Sequence, residues 1–474
     1  MFGAGSKRLW WAAVAAVAAL AVACGSTSAR SELPSWPTYG GSLTSSNTIA
    51  AGALTSKTAR RLKARWHTQV SGTVWASPIV VRRPDGRRLV IVATETNKLY
   101  ALDASSGKVV WSRSAGSPMP ACGGTYGITS TPAVDGRAGV LYAASANGLL
   151  GAYRLADGRP VSGWPVRVIT RTAVEDVWSA VRLIGGSLYL AVASYCDSPD
   201  KSGKPADGYL LRVDPKSRKV VGKFDVTPGP ANLAGIWGWG GVSYDAEAKT
   251  LYTATGNAVV YRGGNLIEDA GHAERLLALS PSLRLLAESP APPPTEENRG
   301  DEDFGSTPLL FQPSGCAPLV AANSKNGSTY VWRRGHLASG PVISLPIGPT
   351  APNDPFLGQP VYLPSLRLLV VAQAEFGADK SRGVSAFRLN AGCSGVVNRW
   401  NLNIGGGPQA PPIAVGDVVV ASAPATSQVA VVDAKTGLLL DLIATGAPVY
   451  APLASDGSSI YVATTAGVVY AYTP

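Results

Sequence analysis

The sequence is poor in the residues that most often bind transition metals. Its 474 residues contain three histidines, five cysteines and two methionines. The histidines are isolated from one another and share no ligand spacing. The cysteines form no Cys-x-x-Cys pair, which excludes a covalently attached c-type haem and a four-cysteine zinc site. Long helical patterns are also scarce, so we expect an all-β chain.

The chain has a basic excess that is not concentrated anywhere. Its formal net charge is +11, yet lysines and arginines are scattered along the sequence. Nucleic-acid-binding proteins usually group such residues in a patch or stripe. We therefore predict no nucleic-acid partner and interpret the basic residues as an arginine-rich, soluble surface.

The first 23 residues are typical of an export signal. Lys7 and Arg8 form a positive start, and residues 9–23 are almost wholly apolar. The apolar run is too short to span a bilayer comfortably. Ala-Val-Ala directly before Cys24 resembles a bacterial lipobox, in which the cysteine is lipidated and becomes the mature N-terminus. The alternatives are an ordinary signal peptide and an uncleaved anchor.

These features predict the organisation of the chain. We expect a lipoprotein signal peptide at 1–23, a polar tether at 24–35 and one domain at 36–474. The mature protein is expected outside the cytoplasm, attached to a membrane through the lipid on Cys24 alone.

Four cysteines remain if Cys24 carries a lipid. An even number of cysteines in an exported chain indicates two disulfides. Three pairings are possible, and the sequence does not choose among them. We expect Cys122–Cys196 and Cys316–Cys393, because each of these pairs would join neighbouring units of the fold.

A repeated sequence motif is the clearest structural signal in the chain. It consists of an apolar strand, a turn of the form Asp-x-x-x-Gly, and a second apolar strand that often contains Trp. The clearest copy spans residues 99–111, weaker copies lie at 151–158, 211–216, 277–280 and 431–437, and a half-copy lies at 467–472. Asp and Gly favour the tight reversal of a hairpin. Recurrence at roughly fifty residues indicates a repeat architecture whose units bury their apolar faces against one another.

The repeats predict an eight-bladed β-propeller of four-stranded antiparallel blades. The eight units run approximately over 64–111, 112–164, 165–221, 222–286, 287–340, 341–400, 401–442 and 443–474. The last unit is short of an outer strand. We expect the segment around Leu62 to Trp66 to supply that strand and close the ring, which would remove an exposed sheet edge.

Residues that are candidates for catalysis or ligand binding are concentrated in the fourth and fifth units. Trp-Gly-Trp-Gly-Gly spans residues 237–241 and is followed by Gly-Asn at 256–257. An Asp-Glu-Asp-Phe-Gly run occupies 301–305, and Lys-Asn-Gly occupies 325–327. Each element alone is also typical of a turn, a solvated loop or axial packing. Their joint order is the informative feature.

In this ordered series the chain resembles the pyrroloquinoline-quinone (PQQ)-dependent alcohol dehydrogenases, and most of all their polyvinyl-alcohol-dehydrogenase-like branch. The resemblance extends over nearly all of the mature chain, including Trp-Pro-Thr-Tyr-Gly-Gly at 36–41. It implies an eight-bladed propeller that binds PQQ on its axis together with Ca²⁺ or a lanthanide ion. It further implies an oxidoreductase that acts on an alcohol or a related organic substrate.

The resemblance also implies roles for individual residues. Trp239, eighteen residues before Asn257, matches the floor on which the quinone stacks, with Trp237 beside it. Lys325 matches the residue that binds the quinone oxygens and stabilises developing charge, and Asp301 matches the catalytic base near the ion. The implied metal ligands are Asn257, Asp301 and Asp303, with Asp197 as a positional substitute for a glutamate of the family. These loops are expected to converge at one axial end.

Several departures from the family support a second reading. Trp75 stands where the family has a glutamate near the cofactor carboxylates, and Tyr126 stands where it has an arginine. Cys122 is followed by glycine instead of a second cysteine. The alternative is a non-catalytic propeller lipoprotein that presents its faces to partner proteins, as in outer-membrane assembly. The dehydrogenase reading requires a small or polymeric alcohol substrate and a separate electron acceptor, because the chain contains no haem motif.

Overall fold

The fold is described from a computed structural model. The structure describes Met1 and residues 35–50, 52–83, 85–121, 123–293, 302–347, 358–372, 383–406 and 410–474. The chain divides into Met1–Glu32 and Leu33–Pro474, and every described strand belongs to the second unit. No helix among the described residues is long and apolar enough to cross a membrane.

The elements before the first blade are short. They are 3₁₀ turns at Tyr39–Gly41 and Ala59–Arg61 and the strands β1 (Thr48–Ile49) and β2 (Lys63–Gln69). Blade 1 then contains β3 (Ile79–Arg82), β4 (Arg88–Thr94), β5 (Lys98–Asp103) and β6 (Val109–Ser114), and is followed by a hairpin of β7 (Met119–Ala121) and β8 (Gly124–Tyr126). Blade 2 contains β9 (Ala133–Asp135), β10 (Val140–Ser145), β11 (Leu149–Arg154) and β12 (Val166–Arg167).

Blades 3 and 4 carry additional short strands. Blade 3 contains β13 (Glu175–Asp176), β14 (Arg182–Ile184), β15 (Ser187–Ser194), β16 (Tyr209–Asp214) and β17 (Lys219–Asp225). After β18 (Asn232–Leu233), blade 4 contains β19 (Val242–Asp245), β20 (Thr250–Ala254), an inserted hairpin of β21 (Ala258–Arg262) and β22 (Asn265–Ile267), β23 (Leu276–Leu279) and β24 (Leu285–Glu288).

The remaining blades are regular. Blade 5 contains β25 (Leu309–Phe311), β26 (Leu319–Ser324), β27 (Ser328–Arg333), a 3₁₀ turn (Leu337–Ser339) and β28 (Ile343–Pro346). Blade 6 contains β29 (Val361–Leu363), β30 (Leu368–Ala372), β31 (Gly383–Leu389) and β32 (Val396–Asn403). Blade 7 contains β33 (Ile413–Val415), β34 (Val418–Ala423), a 3₁₀ turn (Pro424–Thr426), β35 (Gln428–Asp433) and β36 (Leu439–Ala444). Blade 8 contains β37 (Ala454–Ser455), β38 (Ile460–Ala463) and β39 (Val468–Thr473).

The sheets form an eight-bladed propeller ring, which confirms the predicted fold. Blade 1 has the strand order β3-β4-β5-β6, and in a propeller the first strand of such a blade lines the axis while the last lies outermost. The middle strands are buried on both faces, whereas the outermost strand β6 is mostly exposed. The core therefore lies between the faces of adjacent blades, where side chains of blades 1 and 2 form one apolar cluster.

The predicted ring closure is confirmed. β2 pairs antiparallel with β39, in a register that runs from Lys63 opposite Thr473 to Gln69 opposite Val468. β2 is thereby the outer strand of blade 8, in the order β2-β39-β38-β37. β2 therefore covers the edge of β39 that blade 8 would otherwise leave open.

The segment before β2 crosses the central channel, which the sequence did not predict. Trp36 exchanges two backbone hydrogen bonds with Val80 of blade 1 (2.9 and 2.8 Å). The amide of Tyr244 in blade 4 donates to Leu43 (2.7 Å), and that of Leu310 in blade 5 donates to Thr44 (3.0 Å). Farther along, β1 pairs in parallel with β33 of blade 7. The segment therefore closes the channel by bonding to the inner strands of opposing blades. We call residues 36–50 the axial plug.

One arginine of blade 3 fastens the axial plug. Arg182 is fully buried and donates from Nη1 to Thr38 Oγ1 (3.1 Å) and Tyr39 O (2.9 Å). Its Nη2 donates to Ser42 O (2.9 Å) and Ser45 Oγ (3.3 Å). The planar guanidinium group of Arg182 thus donates hydrogen bonds to several oxygens that would otherwise be buried without a partner.

Residues of the repeated sequence motif pack neighbouring blades together. Trp111 in the outer strand of blade 1 donates from Nε1 to Leu155 O in the turn of blade 2 (3.0 Å). A Cβ atom on Gly158 in that turn would lie 2.6 Å from the Trp111 ring, and Gly158 has a positive φ of 69°. Trp66 with Gly107 and Trp400 with Gly437 repeat the arrangement. Gly is required because the indole ring packs directly on the turn.

The predicted Cys316–Cys393 disulfide is present, with Cα atoms 6.2 Å apart. It joins blade 5 to blade 6, as the preferred pairing required. Cys196 is also disulfide-bonded. Cys122 and the lipidation candidate Cys24 lie outside the described residues, so the Cys122–Cys196 pairing and the lipid attachment stay predictions.

Candidate functional site

The topology brings the described candidate residues to one end of the ring. In an antiparallel blade, the connection before the inner strand and the turn between the second and third strands lie at the same end. Trp237 and Trp239 precede the inner strand β19, and Asn257 follows β20. In blade 5, Asp303 precedes β25 and Lys325 follows β26. We call this end of the ring the site face.

Trp237, Asp303 and Lys325 are in direct contact. Asp303 is 2% exposed; its Oδ2 accepts a hydrogen bond from Trp237 Nε1 (2.8 Å), and its Oδ1 lies 3.1 Å from Lys325 Nζ. Lys325 Nζ also lies 4.9 Å from the centre of the Trp237 ring. The backbone amide of Lys325 donates to Asp303 O (2.9 Å). A buried carboxylate is thus held by an indole N–H and balanced by a cation over the same ring.

Two glycines of the sequence motifs allow this contact. A Cβ atom on Gly305 would lie 2.3 Å from the Trp237 ring. A Cβ atom on Gly256 would lie 3.0 Å from Asp303 Oδ2 and 3.1 Å from Trp237 Nε1. The glycines of Asp-Phe-Gly and Gly-Asn therefore permit close approach of the carboxylate and the indole.

The region around Asn257 is rich in oxygen ligands. Asn257 Nδ2 donates to Glu268 Oε1 (3.4 Å). Glu274 is 5% exposed, and its amide donates to Gly256 O (3.0 Å). Its Oε1 finds no hydrogen-bond partner among the described residues. Burial raises the pKa of Glu274 to about 8, with the charges of Asp303 and Glu302 as the next causes.

Trp239 is covered on the site face. It is 5% exposed and packs against Tyr39 of the axial plug and Ala180 of blade 3. The ring of Trp75 stacks against it with centroids 6.1 Å apart, and Tyr450 stacks on Trp75 at 5.3 Å. The predicted floor residue is therefore part of an aromatic stack formed within the protein.

The structure does not gather the complete set of predicted metal ligands. Asp301, the predicted base, lies outside the described residues. Asp197 is exposed at the connection after β15, where its amide donates to Ser194 Oγ (2.7 Å). The role of Asp197 as a ligand stays a prediction. No group of three or more His, Cys, Asp or Glu side chains in the described part of the chain is arranged to hold a metal ion.

The sequence analysis missed several buried acids at the site face. Among them are Glu274 in blade 4, Glu95 after β4 and Asp176 at the end of β13. No family motif marks these positions. The available signal was the placement of acids between apolar residues, as in Val-Glu-Asp-Val at 174–177. Acidic residues are seldom fully buried unless something pairs with them.

Part of the chain is similar to a known family. Residues 7–224, a little less than half of the chain, match the PQQ_2 family, which is described as outer membrane protein assembly factor BamB. No curated protein sequence matches the chain. The chain has the eight-bladed β-propeller fold that the resemblance implied, and the matched segment is similar to this family.

Solved structures of two kinds share this fold. Quinohemoprotein alcohol dehydrogenase from Comamonas testosteroni is 16% identical with a TM-score of 0.68, and the match covers 93% of this chain and 80% of that one. A europium-containing methanol dehydrogenase is 14% identical with a TM-score of 0.70, covering 94% and 99%. BamB from Moraxella catarrhalis is 12% identical with a TM-score of 0.57, covering 87% and 100%. At these identities the likeness concerns the fold alone.

The site residues fit one half of a PQQ site directly. PQQ is a planar quinone with three carboxylates, and it is bound with a hard cation. Lys325 would provide a positive charge, while Asn257 and the Glu274 oxygen that has no hydrogen-bond partner among the described residues would provide hard ligands near Asp303. The surface on which PQQ would stack is covered, because Trp239 packs against Trp75 and Tyr39 and is only 5% exposed. A planar ring stacked on Trp239 therefore requires Trp75 to leave its place.

Proposed function

We propose that the chain is a PQQ-dependent dehydrogenase that oxidises an alcohol or a related organic substrate. The observation that carries the proposal is the contact of Trp237, Asp303 and Lys325, in which sequence-distant motifs of the family meet around one buried carboxylate. An acid in a turn or a solvated loop would be exposed, whereas Asp303 is 2% exposed and both of its carboxylate oxygens have a partner.

The residues of the site have distinct tasks in this proposal. When bound, PQQ would supply the acceptor for the two electrons of the alcohol, and a hard cation would polarise its quinone oxygens. Lys325 Nζ holds a positive charge where oxygens that gain electron density would lie. Asp303 keeps that ammonium group in place, and Trp237 fixes the orientation of Asp303. Asn257 and Glu274 would hold the cation, and Asp301 takes the hydroxyl proton as the sequence predicts.

Export and lipid attachment at Cys24 are part of the proposal. A lipid-anchored enzyme outside the cytoplasm would pass its electrons to a separate acceptor, because the chain has no haem motif. Replacement of Cys24 by Ser is expected to move the protein from the membrane fraction to the soluble fraction and to abolish labelling with a radioactive fatty acid. Unchanged labelling would contradict lipidation at this cysteine.

Titration of the purified protein with PQQ tests the cofactor directly. Binding is measured by equilibrium dialysis with Ca²⁺, with La³⁺ and with a metal chelator. We expect saturable binding that depends on the cation, and alcohol-dependent dye reduction by the loaded protein. The variant Lys435→Gln loses a positive charge in an exposed turn of blade 7, and we expect it to bind PQQ as the wild type does.

Several observations favour a second candidate function. The covered Trp239 and the substitution of Trp75 for a family glutamate are compatible with a propeller that binds no quinone. Such a protein would act as a scaffold for partner proteins, a reading that the match described as an outer membrane assembly factor also supports. Absence of PQQ binding with every cation tested would favour this scaffold over the dehydrogenase.

A further inference from the structure

A cavity of about 570 Å³ lies at the outer part of blade 6. Its walls come from the connection between β25 and β26, the connection between β29 and β30, and the strands β31 and β32 with the turn between them. In an antiparallel blade these connections lie at the end opposite to the turn between the second and third strands. The cavity is therefore at the other end of the ring from the site face and is separate from the residues of the proposed dehydrogenase site.

Three arginines line this cavity, although they are not adjacent in the sequence. Arg367 lies in the connection between β29 and β30, Arg388 near the end of β31, and Arg399 in the outermost strand β32. No acidic residue of the described ranges lines the cavity. A cleft whose walls carry charge of one sign attracts ions of the opposite sign. We call this space the arginine cavity.

Arg388 and Arg399 have side chains that can bind a ligand. Both residues are exposed, and neither side chain forms an ion pair or a hydrogen bond with another residue in the described part of the chain. An arginine side chain stays charged in proteins because its pKa lies above 12. The two guanidinium groups therefore keep positive charges that no carboxylate of the described residues neutralises.

Arg367 is held in place without losing its charge. Its Nη1 donates to Ser314 O (2.7 Å) and its Nη2 donates to Asn390 O (2.8 Å). Nη2 also lies 3.3 Å from Cys393 Sγ, in the disulfide that joins blade 5 to blade 6. Backbone carbonyls and a disulfide sulfur orient the guanidinium group, but they do not neutralise it. An arginine that is already oriented loses less conformational freedom when it binds an anion.

The size of the cavity and one apolar wall indicate an organic ligand. Its volume of about 570 Å³ is larger than a simple inorganic anion needs, and sites for small organic molecules span about 300–1,000 Å³. Val397, which pairs in register with Arg388, lines the cavity and is 61% exposed. Contact with a carbon skeleton would remove this apolar surface from water. The arginine cavity therefore offers positive charge and an apolar contact to the same ligand.

We propose that Arg367, Arg388 and Arg399 bind the phosphate group of an organic phosphate ester. A phosphate monoester carries about 1.5 to 2 negative charges at pH 7 and has three acceptor oxygens, so it can accept hydrogen bonds from more than one guanidinium group. A carboxylate has one charge and two oxygens and would use fewer of these donors. A soluble phosphate ester and a phospholipid headgroup share this chemistry, and the experiment distinguishes them. The inference does not rest on the dehydrogenase proposal.

Two binding measurements on the purified protein, without PQQ or added metal, test the site and identify the source of the phosphate. Isothermal titration calorimetry uses glycerol 3-phosphate, with glycerate as the carboxylate analogue. Sedimentation uses phosphatidylcholine vesicles with and without phosphatidic acid. We expect saturable binding that weakens with added salt, with at least a fivefold preference for glycerol 3-phosphate over glycerate if the ester is soluble, or binding only to vesicles with phosphatidic acid if it is a lipid. Equal binding of glycerate, or no binding in either measurement, would overturn the proposal.

Two variants locate the binding and separate it from folding. Arg388→Gln and Arg399→Gln each remove one exposed charge, so thermal unfolding should stay that of the wild type while binding of the phosphate probe weakens at least fivefold. Arg137→Gln is the matched control, because Arg137 is exposed in the turn between β9 and β10, at the same end of the ring, and does not line the cavity. It should bind the probe as the wild type does. Equal weakening in all three variants, or wild-type binding by both cavity variants, would overturn the assignment.

Discussion

Lys325 Nζ lies 3.1 Å from Asp303 Oδ1, although the two residues belong to different connections of blade 5. The same carboxylate accepts the indole N–H of Trp237 from blade 4. The ion pair lies within blade 5, the Trp237 hydrogen bond joins it to blade 4, and 16% of the Lys325 side chain stays exposed. A ligand that binds Lys325 must share or replace the contact with Asp303.

Lys325→Met is expected to reduce PQQ affinity at least tenfold, which corresponds to about 1.4 kcal/mol. The physical reason is the loss of the positive charge that faces the quinone oxygens. Equilibrium dialysis with the cation present measures the effect. Lys435→Met should retain wild-type affinity, and an equal loss in both variants would show that the effect is not local.

Trp75→Ala is expected to increase PQQ affinity, because it removes the ring that stacks against Trp239. Trp239→Ala is expected to decrease affinity, since it removes a large stacking surface. The two variants therefore change the dissociation constant in opposite directions, which equilibrium dialysis measures. A decrease in affinity for both would indicate that Trp75 itself contacts the quinone.

Arg182→Met is expected to destabilise the protein by roughly 2–5 kcal/mol, because it leaves several buried acceptors of the axial plug unpaired, each at a cost of about 1–3 kcal/mol. Urea unfolding monitored by circular dichroism measures the change. Arg154→Met, at an arginine whose side chain is 55% exposed, is the control and should change stability little. Similar effects of the two substitutions would argue against the role of Arg182 in holding the plug.

Gly158→Ala and Gly139→Ala form a matched pair within blade 2. Both glycines have a positive φ, 69° and 66°, so both substitutions introduce similar backbone strain. Only at Gly158 would the new methyl group meet the Trp111 ring, at 2.6 Å, whereas it would meet nothing within 4 Å at Gly139. Thermal unfolding should therefore show a larger loss for Gly158→Ala, by roughly 1–3 kcal/mol. Equal losses would mean that the Trp contact adds nothing.

Stability is expected to fall as pH rises from about 5 to 9. Asp176 ordinarily titrates at 3.8, but its pKa is about 8 in the folded chain, and the pKa of Glu95 moves from 4.5 to about 7. The folded state therefore binds more protons than the unfolded state over this range, and raising the pH favours unfolding. Other groups in contact with the pair are Tyr126 and Tyr195, which stay protonated here because their pKa values are raised.

Asp176→Asn is expected to flatten this pH dependence and to stabilise the protein at pH 9 relative to the wild type, by an amount on the order of 1–3 kcal/mol. The difference should shrink toward pH 5, where both carboxyls are protonated. Urea unfolding at a series of pH values measures it. A difference that is constant with pH would show that Asp176 does not titrate as its burial implies.

The sequence by itself determined the eight-bladed ring and its closure. Asp and Gly at 103 and 107, and again at 433 and 437, mark reversals that depend only on local backbone geometry and hydrogen bonds. The short final unit predicted that the strand near Trp66 would complete blade 8, because an open ring edge is unfavourable. These properties are local or are set by pairing rules, so they are readable without coordinates.

Only the tertiary structure decided how the site is arranged. The contact of Trp237 with Asp303 spans 66 residues, and the covering of Trp239 combines Tyr39 from the axial plug with Trp75 from the entry to blade 1. Burial of Glu95, Asp176 and Glu274 likewise depends on neighbouring blades. A linear sequence shows which side chains exist, but their exposure, pairing and pKa depend on distances that the closed ring imposes.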